Sequence, residues 1–141
     1  MSSWKQQSLI DAPVRDVWEL VGDPRRYPDW AENVLEVTGL AEVVEGARFE
    51  QLGKTPLGKA RTEFKVEELD DLREIKLRCQ QSGLYSHWLL TEAGGDTFCE
   101  LEVGMEPTGT PYRVMDRVIG KRWYRGLTTD LLDAVRAHVP H

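Results

Sequence analysis

In three stretches of this chain almost every second residue is apolar and the residues between are almost all charged. KARTEFKV over 59–66 sets Ala60, Thr62, Phe64 and Val66 against Lys59, Arg61, Glu63 and Lys65. EIKLRC over 74–79 sets Ile75, Leu77 and Cys79 against Glu74, Lys76 and Arg78, and CELEVGM over 99–105 sets Cys99, Leu101, Val103 and Met105 against Glu100 and Glu102. Side chains two apart share a face of a strand, so each stretch is a strand with one buried and one solvated side. A sheet built from them has one apolar face that another element must cover.

The other strands follow from turn chemistry. Trp4–Ile10, Val34–Gly39, Arg48–Leu52 and Leu84–Thr91 complete a predicted set of seven with Lys59–Leu69, Arg73–Cys79 and Thr97–Glu106. GKTPLG, Asp70-Asp71, Gln81-Ser82-Gly83 and Gly94-Gly95-Asp96 are short links, which favour an antiparallel meander. In Leu84–Thr91, parity puts Leu84, Ser86, Trp88 and Leu90 inward and Tyr85, His87 and Leu89 outward. In a meander Cys79 and Cys99 stand two strand spacings apart, about 9 to 10 Å, too far for a disulfide. They lack CxxC or Cys/His spacing, and His87, His138 and His141 share no element at ligand spacing, so neither a metal nor a cofactor is expected.

Two helical segments follow the first strand and a long one ends the chain. Asp11 precedes Pro13 by two residues and is expected to cap a helix starting near Pro13, with Val14, Val17, Trp18 and Val21 on its buried face. Gly22-Asp23-Pro24 stops it. Asp23 is expected to cap a second, short helix over Pro24–Tyr27, which Pro28 ends, leaving Tyr27 and Trp30 on a rigid corner. From Pro111 to Val139 the chain reads as a helix about 40 Å long, enough to cross the sheet. Its apolar stripe changes direction: Met115, Val118, Ile119 and Trp123 mark one line, and Leu127, Leu131, Leu132, Val135 and Val139 another. A straight helix cannot bury both, so a kink is predicted between Gly120 and Gly126.

The 141 residues suit a single domain, 1–141, with one core. The formal charge of −6 argues against general nucleic-acid binding. No apolar run reaches the roughly 20 residues of a membrane span, and MSSWKQQSLI lacks a signal peptide's pattern, so a cytoplasmic protein without stable membrane insertion is expected.

IDAPVRDVWELVGDPRRYPDW resembles the strand-to-helix junction of the START-like, or SRPBCC, superfamily. WLLTEAGGDTFCELEV resembles its penultimate hairpin and RWYRGLTTDLLDAVRAHV its final helix. The superfamily includes polyketide cyclase and dehydrase-like proteins and the pathogenesis-related plant allergens. The resemblance covers nearly the whole chain and implies an α+β helix-grip fold. In it a seven-stranded curved antiparallel sheet wraps a long C-terminal helix, with two short helices after the first strand. It also implies a hydrophobic cavity between sheet and final helix, with the short helices at its mouth.

In such a fold core and cavity wall are one surface, so the expected ligand-binding residues are Trp30, Phe49, Phe64, Leu77, Trp88, Leu90, Leu101, Val103, Met115, Ile119, Arg122 and Trp123. Trp18 is assigned to the core. Thr62, Cys79 and Ser86 are the chief inward polar groups, and Arg122 is placed to anchor a carboxylate at the cavity mouth. Arg113, Arg117, Lys121 and Arg125 recur every four residues as a basic stripe, and Asp116 is within a helical turn of Arg113 and Lys121. Tyr85 and His87 point outward, with no carboxylate placed to orient the histidine.

The leading expectation is a non-catalytic protein that binds or transports a small hydrophobic molecule: a lipid, a quinone-like compound or an aromatic polyketide. One alternative is a cyclase or aromatase using Arg122, Tyr124 or Tyr85. The other is an interaction module whose basic stripe meets an acidic protein. A monomer or weak homodimer is expected.

Overall fold

A computed structural model describes residues 2–140. Seven strands form one antiparallel sheet: β1 (Ser2–Ile10), β2 (Val34–Thr38), β3 (Arg48–Thr55), β4 (Gly58–Asp70), β5 (Glu74–Cys79), β6 (Leu84–Ala93) and β7 (Asp96–Met105). Their order is β1-β7-β6-β5-β4-β3-β2. The meander thus runs from β2 to β7, and β1 closes onto its far end in register, Trp4 opposite Val103 and Ile10 opposite Thr97. Phe64, Val66, Ile75, Leu77, Cys79, Cys99, Leu101, Val103 and Met105 are all buried, as the alternation requires. Between Val66 and Glu68 the register slips by one residue, a bulge that lets Leu69 rejoin the inner face opposite Ile75. Cys79 and Cys99 are buried free thiols on strands separated by β6.

Two departures concern the first helices. α1 (Val14–Val21) starts one residue after Pro13, whose carbonyl accepts from the amides of Asp16 and Val17 at 3.0 and 3.2 Å. No side chain caps it; Asp11 lies two residues before the N-cap position, out of reach. Asp23 does cap the next turn, a 3-10 segment over Pro24–Arg26, by accepting from the Arg25 amide at 3.0 Å. Pro28 does not end that turn. It falls in the first turn of α2 (Tyr27–Trp30), where a missing N–H costs nothing. Trp18 is half-buried against the core.

α3 (Thr110–His138) is broken at Gly120, whose φ of 62° and ψ of −173° lie in a region essentially restricted to glycine. The break falls at the N-terminal edge of the predicted interval. Its second half presses Leu131, Leu132 and Val135 into the core. α3 packs mainly along β1 and β7. The inner face of β1 meets it through polar groups: Gln6 Oε1 accepts from the hydroxyls of Thr128 and Thr129 at 3.2 and 3.1 Å. Arg136 reaches the Ser8 hydroxyl and the Leu9 carbonyl. No helix among the described residues is long and apolar enough to cross a membrane.

Candidate ligand-binding cavity

Because α3 rides on one end of a curved sheet, it leaves the inner faces of β3 to β6 only partly covered. Two adjoining chambers result. The inner one, about 60 Å³, lies against Trp30, Leu77, Trp88 and Val103. The outer one, about 280 Å³, lies between the β3–β4 hairpin and the first half of α3, against Thr62, Cys79, Met115, Ile119 and Trp123. Asn33, Gln51, Phe64, Leu84 and Leu127 border both and form a waist. The outer volume alone approaches the lower limit of small-molecule sites, about 300 Å³.

Local chemistry fixes the inner end. Trp30 meets the Trp88 ring edge-on at 6.0 Å and Tyr27 at 5.3 Å. The Trp30 indole donates to the Leu20 carbonyl at 3.0 Å and the Tyr27 hydroxyl to the Val21 carbonyl at 2.7 Å, both at the end of α1. Burial pushes the Tyr27 phenol above its ordinary range, so it stays neutral. The Tyr27 and Trp30 rings are therefore held rigidly, with their polar atoms already satisfied.

The outer end is different. Met115, Ile119 and Trp123 are only partly buried, and Leu57 at the hairpin tip is 75 % exposed. The short helices thus build the inner end, while the hairpin and α3 frame the opening. Beyond it, an open cleft runs between Leu57, Val118, Arg122 and Asp130. The Gly120 break is held by a buried pair on either side of it: the Tyr124 hydroxyl donates to Asp116 Oδ1 at 2.7 Å. Burial first, and the bond to Asp116 second, raise the Tyr124 phenol far above its usual value.

The residues expected to contact ligand divide into three groups. Trp30, Phe64, Leu77, Trp88 and Val103 border the inner chamber, and Phe64, Met115, Ile119 and Trp123 the outer. Arg122 is exposed on the open cleft and borders neither chamber, since the break turns it out. Phe49, Leu90 and Leu101 also border neither. Phe49 stacks on Phe64 at 5.8 Å, and Leu101 is completely buried in the core. Asn33, Gln51, Leu84 and Leu127 were not among the expected set. Inward parity favoured Gln51 and Leu84, but Asn33 is in a loop and carries no periodic signal.

Three surface expectations need correction. Asp116 is not on the surface; it is buried and accepts from Tyr124. The basic stripe is not continuous, because Gly120 separates Arg113 and Arg117 from Lys121 and Arg125; Arg125 lies over the Trp4 ring at 5.5 Å. His87 faces outward as parity requires, yet it does have an orienting carboxylate, whereas Tyr85 is buried and also borders the inner chamber. The His87 Nε2 is 2.5 Å from Glu74 Oε2 and 3.8 Å from Glu68. Glu68, Glu74 and His87 gather potential ligand atoms within 4.8 Å on the outer face, away from the chambers. Tyr85 lies beneath Lys76 and Arg78, and its hydroxyl crosses Gly104, where a Cβ would stand 2.9 Å away. His141 lies outside the described residues.

A curved antiparallel sheet gripping a long C-terminal helix over an apolar cavity is the helix-grip architecture of START-like proteins. The chain belongs to the polyketide cyclase/dehydrase and lipid transport family, whose sequence model matches residues 1–140. Solved structures share the fold at low identity. A START superfamily protein from Mycobacterium smegmatis is 14% identical, with a TM-score of 0.77 over 99% of this chain and 97% of its own. A protein from Thermus thermophilus is 16% identical, with a TM-score of 0.74 over 96% and 94%. A polyketide-cyclase-like protein from Corynebacterium glutamicum is 18% identical, with a TM-score of 0.59 over 96% and 83%. No curated protein is a significant match in sequence.

Proposed function

We propose that this protein binds and carries a small hydrophobic molecule in the cytoplasm, held between the sheet and α3. The observation that carries this reading is the pair of adjoining chambers, walled by Phe64, Leu77, Trp88, Ile119 and Trp123 and open beside the Gly120 break. Transfer of an apolar ligand into such a space is favoured by about 25 cal/mol for each Å² removed from water. A lipid chain, a quinone-like ring or an aromatic polyketide has the required surface, in keeping with a family named for polyketide chemistry and lipid transport.

A cyclase reading would need a side chain that moves protons at the cavity wall. Tyr124 is engaged with Asp116 and Arg122 faces the open cleft; Tyr85 is buried and borders the inner chamber, but its ring is stacked beneath Lys76 and Arg78. An interaction module would need a continuous basic face, which the Gly120 break divides. Both therefore have weaker support than the carrier reading.

Native mass spectrometry of the protein as purified, followed by organic extraction, tests the proposal. A stoichiometric apolar adduct is the expected result. Protein without an adduct, whose Trp fluorescence also stays constant across a panel of hydrophobic compounds, would remove the proposal.

A further inference from the structure

Two side-chain amides stand among the apolar residues at the waist, where the chambers adjoin. Asn33 and Gln51 both border inner and outer chambers, alongside Phe64, Leu84 and Leu127. Asn33 Oδ1 is buried without a hydrogen-bond partner, one of two such side-chain atoms among the described residues. Buried polar atoms in folded proteins are nearly always paired, so an orphan within a residue that borders both chambers singles that residue out as a partner for a ligand's polar atom. An asparagine amide can also turn about its last torsion and offer either its oxygen or its nitrogen.

The charge around the waist narrows the chemistry. No lysine, arginine or histidine borders the inner chamber among the described residues. Lys54 and Lys59 border the outer chamber but are exposed at the hairpin, and Arg122 is on the open cleft. A carboxylate or phosphate at the waist would be buried without a cation, a placement the fold does not offset. A neutral group that both donates and accepts would satisfy the amides at no such cost.

We infer that Asn33 and Gln51 form a neutral hydrogen-bonding station at the cavity waist, so that the ligand is an apolar molecule bearing an uncharged polar group, in the simplest case a hydroxyl. This rests on the carrier reading and specifies its ligand class. The polar group sits between apolar portions, one reaching Trp30 and Trp88 and the other Ile119 and Trp123.

Equilibrium dialysis at pH 7 against naphthalene, 2-naphthol and 2-naphthoate separates the two ideas, because the ring is common and only the polar group changes. The expected result is binding of naphthalene, with 2-naphthol about tenfold tighter and 2-naphthoate weaker than 2-naphthol, the increment of one satisfied hydrogen bond. The double variant N33L/Q51L should bind naphthalene at least as well and lose the preference for 2-naphthol. N33D, nearly isosteric, keeps an acceptor and should reject 2-naphthoate more strongly, so it tests the station if the double variant does not fold. Naphthalene binding with no gain for 2-naphthol, a gain that survives in N33L/Q51L, or 2-naphthoate binding tightest would overturn the station and leave the carrier reading standing. Failure of all three to bind would overturn both.

Discussion

The hydroxyl of Tyr124 donates to the Asp116 carboxylate at 2.7 Å across Gly120, joining two halves of a helix that points its apolar residues in two directions. Both partners are buried, Tyr124 completely. The bond therefore lies in low dielectric, where leaving a partner unsatisfied is costly. Tyr124→Phe should destabilise the protein by about 1–3 kcal/mol. Amide hydrogen exchange should rise most over residues 110–119, the half that roofs the outer chamber. Urea unfolding and exchange mass spectrometry read the two effects; unchanged exchange in that segment would mean the bond does not hold the break.

The two glycines of α3 should respond oppositely to alanine. At Gly120 a Cβ meets nothing within 4 Å, so the penalty for Gly120→Ala is conformational, about 1–3 kcal/mol for the φ of 62°. Gly126 is in regular helix with open space around it, and Gly126→Ala should stabilise by about 0.5–1 kcal/mol. Thermal melts of both variants check the pair, and a stabilised Gly120→Ala would show that the break is not intrinsic to the native state.

A charge placed in the core and one placed at the opening should be distinguishable. Leu101→Arg puts a cation where nothing is exposed and should leave no cooperative unfolding transition by circular dichroism. Ile119→Glu changes a partly exposed residue of the outer chamber. It should fold, and bind an apolar probe at least tenfold more weakly by dialysis, the loss expected when a charge must be buried.

Acid should act partly through Glu67, which sits in the β4 bulge. Arg78, bonded to it at 2.6 Å, holds its carboxyl below the usual carboxylate range, and Lys76 adds to this. The folded state thus favours the charged form. The resulting stability is complete above the unfolded value, about 4.3, and is lost as the pH falls through the lower, folded value. Glu67→Gln should melt lower at pH 7 and show a shallower loss of Tm between pH 5 and pH 3.

Cys99 should be inert in the native protein. Burial raises its thiol to about 12, so almost no thiolate forms near neutral pH. Iodoacetamide at pH 8 should leave Cys99 unmodified by peptide mass spectrometry until denaturant is added; rapid native labelling would show that β7 opens.

Much of this architecture was legible because its cause is local. The alternation in KARTEFKV, EIKLRC and CELEVGM assigns strand and face together, because a slip by one residue would bury Lys, Arg and Glu. The change of stripe between Trp123 and Leu127 required a break nearby, and glycines at 120 and 126 were available to make it. Pro28 misled because its effect depends on whether it stands at the end of one helix or in the first turn of the next, and the 3-10 turn before it decides that. Asp11 misled for a related reason: the extended Pro13 starts α1 later than its spacing suggested.

Local pattern alone assigns the faces: which side of each strand is apolar, where the long helix must bend, and that Cys79 and Cys99 are too far apart to join. Tertiary structure decided which apolar residues become core and which become cavity wall. Leu101 and Leu77 have the same parity and hydrophobicity, but α3 lies along β1 and β7 and leaves the inner faces of β3 to β6 partly uncovered. Only that docking distinguishes a filled face from an open one. It also brings Asn33, from a loop without period, beside Gln51 from β3, a juxtaposition across 18 residues of chain that no local rule encodes.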